Sequence, residues 1–108
     1  MVVDIKRFEI YLVKLNPTVG SEIQKKRPCI VVSPNEMNVL KTVIVAPMTS
    51  KGFDFIFRPK IKFEKKVGLV LLDQIRTVDK TRLVKKLADV DEATSKEISE
   101  MLVNMFEL

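Results

Sequence analysis

The sequence predicts a mostly β fold with one C-terminal helix, in a single small domain that spans residues 1–108. Short stretches rich in β-branched and other apolar residues alternate with turn-forming residues, which is typical of strands joined by tight connections. The last part of the chain shows helical spacing in an apolar stripe of Ile98, Met101, Leu102, Met105 and Phe106. A domain of this size gains stability from a partner surface, which favours dimerisation.

Five stretches favour strands, at residues 10–15, 29–33, 42–48, 68–72 and, more weakly, 83–90. Residues 29–32 are a continuous apolar run, as expected for a strand buried on both faces. Residues 77–82 are polar and predict a turn or a single helical turn. Asp91 is a suitable N-cap for a helix that begins at Glu92.

Three phenylalanines alternate after Gly52. If this stretch is extended, Phe53, Phe55 and Phe57 lie on one face of a strand, and we expect Phe55 or Phe57 to reach the core. Phe53 is the candidate for exposure and for stacking on a nucleobase. The lysines that follow suit an edge strand, where charge prevents pairing with other chains. A surface that follows RNA phosphates is the alternative.

The loop from Asn16 to Arg27 connects the first two predicted strands. Pro28 forces Arg27 into an extended conformation, so the guanidinium stands on a rigid base. Such a planar cation suits phosphate binding, and Glu22 in the same loop supplies a carboxylate for acid–base chemistry. Spacing alone favours the simpler interpretation, in which these residues form a loop salt bridge.

The composition narrows the possible functions. The chain carries 19 Lys and Arg against 14 Asp and Glu, a net charge of +5, which favours a polyanionic partner. Histidine is absent and Cys29 is the single cysteine, so the usual zinc sites and a histidine base are excluded. Because the carboxylates are scattered, we expect neither a metal nor another cofactor.

Cys29 cannot form an intrachain disulfide, and its apolar neighbours predict an inert buried thiol. No targeting segment and no run long enough to cross a membrane is visible. We therefore expect a cytoplasmic protein without a membrane partner.

Four motifs occur in order along nearly the whole chain. Asn-Pro-Thr-x-Gly-Ser-Glu ends at Glu22, and Lys-x-Arg-Pro-x-x-Val-Val-Ser follows from Lys25. Val-Ala-Pro-Met-Thr-Ser ends at Ser50, and Gly-Leu-Val-Leu-Leu-Asp-Gln-Ile-Arg-Thr-Val-Asp-Lys begins at Gly68. Together with the closing helix, these motifs resemble the MazF/PemK family of toxin endoribonucleases.

This resemblance implies an SH3-like barrel of the MazF/CcdB type that functions as a homodimer, with an RNA groove across the interface. It implies that Arg27 and Thr49 are the catalytic pair and that Gln74 lies near the RNA groove. Glu22 is our candidate for a third catalytic residue, the proton acceptor. The residues that we expect to bind substrate are Ser21, Lys25, Ser50, Phe53 and Gln74.

The implied reaction is metal-independent, sequence-specific cleavage of single-stranded RNA. The ribose 2′-hydroxyl would attack the adjacent phosphorus, which leaves a 2′,3′-cyclic phosphate and a 5′-hydroxyl end. The implied partners are messenger RNA and a cognate MazE-like antitoxin, whose acidic tail would occupy the basic groove. The chain would thus be the toxin of a type II toxin–antitoxin system.

Two positions depart from the family pattern. Phe8 stands where the family usually has glycine. Some relatives pair an arginine with an aspartate near the end of the strand that begins at Gly68. Asp73 matches that aspartate, but Leu71 replaces the arginine, so this acid–base pair does not carry over.

Two other classes of function stay open from the sequence. One is a CcdB-like toxin that binds a topoisomerase and cleaves nothing, and the other is an SH3-like module that binds nucleic acid without catalysis. The combination of Glu22, Arg27 and Thr49 with their motif neighbours argues for the nuclease branch.

Overall fold

The computed structural model describes residues 4–23 and 25–108. The strands are β1 (Glu9–Lys14), β2 (Lys26–Val31), β3 (Thr42–Thr49), β4 (Lys60–Phe63), β5 (Lys66–Val70), β6 (Arg76–Asp79) and β7 (Leu83–Asp89), and the helix is α1 (Glu92–Phe106). Short 3₁₀ turns occur at Leu72–Gln74 and Lys80–Arg82. The predicted fold class, mostly β with a C-terminal helix, is therefore confirmed.

The seven strands form one antiparallel sheet in which β3 is shared by three neighbours. The order is β4-β5-β3-β2-β1-β7, and β6 also pairs with β3. The first half of β3, Thr42–Val45, pairs with β6, whereas Met48 and Thr49 pair with β5. On its other edge, β3 pairs with β2 through Val45 to Pro47.

The core lies on both faces of this sheet. Successive residues of β1 and β2 point to opposite sides, so Tyr11 and Val31 belong to one apolar cluster and Ile10 and Ile30 to the other. All four side chains are almost fully buried. The prediction that residues 29–32, in and next to β2, are buried on both faces is confirmed.

Helix α1 covers the second cluster. Asp91 is its N-cap, because the Asp91 carboxylate accepts a hydrogen bond of 2.7 Å from the Thr94 N–H. Ile98 is fully buried, and Met101 and Met105 pack against the same cluster. Phe106, which the apolar stripe predicts to be buried, is 70% exposed at the end of the helix.

One local prediction is confirmed in part and another is wrong. The helical turn expected within residues 77–82 occurs at Lys80–Arg82, whereas residues 77–79 end β6, which carries a single buried apolar residue, Val78, and therefore lacks a strand pattern. Residues 53–57 are not a strand, and their alternating phenylalanines do not share a face. Phe57 packs against the core, as expected for one of the later two rings, whereas Phe53 and Phe55 are exposed.

The contact between Gly68 and Thr49 fixes the end of β3. A Cβ atom at Gly68 would lie 2.7 Å from the Thr49 carbonyl oxygen, a separation that side chains do not tolerate. The β3–β5 ladder, which pairs Thr49 with Leu69, can therefore form at this spacing only because residue 68 lacks a side chain.

Gly68→Ala tests this constraint. We expect the substitution to lower the free energy of unfolding by about 1–3 kcal/mol, because the new methyl group must displace the Thr49 backbone. Urea unfolding measures the effect. The matched variant is Val67→Ala, one residue earlier at a side chain that is 62% exposed, where a change within about 0.5 kcal/mol is expected. Equal losses in both variants would contradict the argument.

Candidate functional site

A cavity of about 190 Å³ opens between the adjacent ends of β2 and β3 and the β4–β5 hairpin. Arg27 and Thr49 line it together with Ser50, and we call it the Arg27–Thr49 cavity. Its apolar walls come from Pro28, Met48, Ile61 and Phe63.

Strand register explains why Arg27 and Thr49 share this cavity. The β2–β3 ladder ends at the pair Cys29 and Pro47. In an antiparallel pair, two further steps along both strands bring Arg27 opposite Thr49. Pro28 has no N–H to donate to β3, and the paired register of the two strands stops at Cys29 and Pro47.

Arg27 and Thr49 are both half-buried. Arg27 is paired with Val13 of β1, which holds its backbone in the sheet. The Thr49 hydroxyl oxygen accepts a hydrogen bond of 3.1 Å from the Lys51 N–H. Because the oxygen acts as the acceptor there, the hydroxyl proton can be donated into the cavity.

Two charged residues that the motifs do not include also line the cavity. Glu64 and Lys66 belong to the β4–β5 hairpin, whose tip residues Glu64 and Lys65 have φ angles of 51° and 64°. Two consecutive left-handed residues form the tight turn that hairpins prefer. The Glu-Lys pair is not a usual sequence for that turn, so nothing in the sequence predicts that the hairpin tip reaches Arg27.

Glu22 does not line the Arg27–Thr49 cavity. Its carboxylate is exposed and accepts a hydrogen bond of 2.6 Å from the Val19 N–H within its own loop. It lines a separate cavity of about 210 Å³ with Ile23 and Gln74. Sequence proximity had suggested that Glu22 and Arg27 act at one loop base, but the loop turns between them.

Gln74 and Lys25 hold this loop in place. The Gln74 side-chain oxygen accepts a hydrogen bond of 2.8 Å from the Ile23 N–H. Lys25 has a φ of 69°, and its N–H donates to the Asn16 side chain at 3.1 Å. Ser21 is exposed at the loop turn. These contacts place Gln74 beside the loop that contains Ser21 and Lys25. Gln74 is 51 positions from Ile23, so no local motif predicts this contact.

Phe53 lies outside both cavities, in a group that we call the aromatic cluster: Phe53, Phe55 and Arg58. Arg58 donates two hydrogen bonds to the carboxylate of Asp73, at 3.0 and 2.8 Å. These bonds hold the pKa of Asp73 below its usual range and raise that of Arg58. The sequence does not predict this pair, because Arg58 and Asp73 are 15 positions apart and lie in separate connecting segments.

Cys29 is fully buried, and its burial raises the pKa of the thiol to about 12. The prediction of a buried cysteine is thus confirmed. Among residues 4–23 and 25–108, no three His, Cys, Asp or Glu side chains come together as metal ligands would. Within the same residues, no helix is long and apolar enough to cross a membrane.

A model of the PemK-like, MazF-like toxins of type II toxin–antitoxin systems matches residues 6–106. The chain belongs to this family. The matched region contains every strand, the helix and both cavities, so the PemK/MazF family assignment covers the whole candidate site.

Solved structures share the fold of this PemK/MazF family member. MazF from Deinococcus radiodurans superimposes with a TM-score of 0.83 at 23% identity, over 96% of this chain and 97% of that one. An endoribonuclease from a mycobacterial species, in complex with its cognate antitoxin, gives a TM-score of 0.80 at 23% identity and covers 96% of both chains. A MazE–MazF complex from D. radiodurans gives 0.77 at 20% identity and also covers 96% of both. The predicted barrel of the MazF type is confirmed.

Proposed function

We propose that this chain is a single-domain toxin that cleaves single-stranded RNA without a metal ion. The observation that carries the proposal is the shared lining of one cavity by Arg27 and Thr49, since a guanidinium and a hydroxyl are suited to bind a phosphodiester. Family membership supports it, and so does a net charge of +5, which attracts a polyanion.

The proposed reaction begins with attack of a ribose 2′-hydroxyl on the neighbouring phosphorus. The P–O bond to the 5′-oxygen breaks, which leaves a 2′,3′-cyclic phosphate and a 5′-hydroxyl. Arg27 stabilises the negative charge that builds on the phosphorane, and Thr49 donates a hydrogen bond to a phosphate oxygen. A guanidinium keeps its proton at neutral pH, so a water molecule protonates the leaving oxygen.

RNA binding extends beyond the cavity in this proposal. Ser50 lies at the cavity rim, whereas Ser21 and Lys25 come from the loop between β1 and β2 and Gln74 holds that loop in place. These residues and Phe53 would contact flanking nucleotides, and the polar residues among them would select the cleaved sequence. The active form is a homodimer with the RNA groove across its interface, and messenger RNA as substrate implies a cytoplasmic location.

Arg27→Lys and Arg27→Ala test the role of the guanidinium. Both are expected to lower kcat by about 100- to 1000-fold, because an ammonium cannot bind two phosphate oxygens as a planar fork does. A mixed-sequence RNA, incubated in EDTA and mapped for cut sites and 3′-end chemistry, gives the measurement. Substantial cleavage by Arg27→Lys would contradict the bidentate role.

Two controls accompany this assay. Arg7→Lys changes an exposed arginine outside the Arg27–Thr49 cavity and should retain wild-type cleavage. An RNA with a single 2′-deoxyribose at the mapped site should bind but stay intact, since the attacking hydroxyl is missing. If the wild type cuts nothing, a toxin that binds a topoisomerase or a non-catalytic binding module becomes the better explanation.

A comparison of two carboxylates identifies the proton acceptor. Glu22 is the acceptor proposed from the sequence, whereas Glu64 is the carboxylate that lines the cavity with Arg27. If Glu22 is the base, its loop must move towards Thr49 when RNA binds, and Glu22→Gln should lower kcat by about 100-fold or more. Glu64→Gln then changes kcat little. The reverse pattern, measured on the same RNA under single-turnover conditions, would assign the role to Glu64.

The proposed protein partner is an antitoxin with an acidic, disordered tail that competes with RNA for the same basic surface. Lys66→Glu should then weaken the binding of RNA and of the antitoxin by about tenfold at low salt, since Lys66 lines the cavity. The matched control is Lys96→Glu, at an exposed side chain of α1. Fluorescence anisotropy measures both affinities, and native mass spectrometry tests for a complex with the adjacent gene's product. Absence of that complex would overturn the antitoxin proposal.

A further inference from the structure

The segment between Ser50 and β4 exposes three large apolar side chains to water. Phe53, Phe55 and Ile56 are 67%, 53% and 69% exposed. The segment begins at the rim of the Arg27–Thr49 cavity, because Ser50 lines that cavity and Phe53 follows three residues later. A chain of four residues spans at most about 14 Å, so Phe53 is within a few nucleotides of a phosphate bound at Thr49.

The aromatic cluster has a defined shape. The Phe53 and Phe55 rings meet edge to face, with their centroids 6.3 Å apart and an angle of 79° between the planes. The Arg58 guanidinium carbon lies 4.8 Å from the centre of the Phe53 ring and 5.9 Å from that of Phe55. Both distances are within the range of cation–π attraction. The two rings are thus nearly perpendicular to each other, and the Arg58 guanidinium lies near both.

Asp73 fixes this arrangement. It accepts two hydrogen bonds from Arg58, so the guanidinium plane cannot rotate freely. The Arg58 N–H also donates to the Phe55 carbonyl at 3.0 Å, which closes the segment into a turn. Arg58 is only 13% exposed, in contrast to the two rings that it holds. The rings are therefore exposed to water but not free to collapse onto the surface.

We propose that the aromatic cluster is a stacking site for one unpaired nucleobase next to the Arg27–Thr49 cavity, and that Asp73 is a positioning residue for it. This inference rests on the proposed function, because it takes RNA as the ligand. Bases stack on aromatic rings and on guanidinium planes with little sequence preference. The cluster would therefore contribute affinity and alignment of the strand more than sequence selection.

The surroundings favour RNA over an apolar protein segment as the occupant. Lys51 and Lys60 lie in sequence on either side of the cluster, where Lys60 is 3.9 Å from the Asp54 carboxylate, and the chain has a net charge of +5. A Cβ atom at Gly52 would lie within 4 Å of both Thr49 and Arg58, so the cluster is next to the cavity that is proposed to bind phosphate. A base that stacks on Phe53 would leave its own phosphate in reach of these cations.

A tryptophan probe tests stacking directly, since the chain contains no tryptophan. We expect the fluorescence of Phe53→Trp to be quenched when a 2′-O-methyl oligonucleotide of mixed sequence binds. Such an oligonucleotide resembles RNA but cannot be cut, because its 2′-oxygen is blocked. The matched control is Val39→Trp, at a side chain that is 83% exposed and remote in sequence, where no quenching is expected.

Binding is measured in parallel by fluorescence anisotropy with a labelled oligonucleotide, so that the two proposals fail differently. Binding without quenching of Phe53→Trp would overturn the stacking site and leave the proposed RNA cleavage intact. Neither binding of the oligonucleotide nor cleavage of RNA would overturn both. Quenching by an acidic peptide but not by the oligonucleotide would assign the cluster to a protein partner and overturn the inference.

Kinetics separate stacking from simple apolar contact. Phe53→Leu should raise KM by about fivefold or more while kcat stays near the wild-type value. Phe53→Tyr retains an aromatic ring, so its KM should stay near the wild-type value. Asp73→Asn should also raise KM, because Arg58 no longer holds the Phe53 ring in place. In the Asp73→Asn background, Phe53→Leu should therefore raise KM by a smaller factor than it does in the wild type. Equal KM values for Phe53→Leu and Phe53→Tyr would contradict the stacking role.

Discussion

The sharing of β3 among three strands is the constraint on which the candidate site depends. One edge of β3 pairs with β6 along its first half and with β5 at its end. The other edge pairs with β2 from Val45 as far as Pro47 and no further. Where the β2 pairing stops and the β5 pairing continues, the sheet must open on one side. Arg27 and Thr49 line that opening, and Gly68 lets β5 approach closely enough to keep the end of β3 in place.

The same architecture supplies a cation without histidine and without a cluster of metal ligands among the described residues. The Arg27 side chain leaves a strand that is paired on its β1 side, so its guanidinium starts from a fixed backbone. Catalysis by charge stabilisation needs such preorganisation more than it needs a titratable group. This explains how a chain with no imidazole can support phosphodiester cleavage in the proposed mechanism.

Asp73 shows how a family position can acquire another use. The family resemblance implies an arginine partner for this aspartate at the position of Leu71, and in this chain Asp73 instead pairs with Arg58. The carboxylate is then engaged by two hydrogen bonds that favour its charged form, which suits an anchor and not a proton acceptor. Asp73 thereby fixes Arg58, which contacts the exposed rings of Phe53 and Phe55 next to the Arg27–Thr49 cavity.

The sequence by itself determined the fold class, most of the strands, the capped helix and the family, because these depend on local periodicity and on long motifs. Only the tertiary structure decided which candidates meet. Arg27 and Thr49 are 22 positions apart and share a cavity because of strand register, whereas Glu22, only five positions from Arg27, lines another. Glu64 and Arg58 lie in no motif, and the motif that contains Asp73 did not predict its pairing with Arg58. Side-chain proximity across a sheet is set by pairing between distant strands, and local sequence patterns do not encode that pairing.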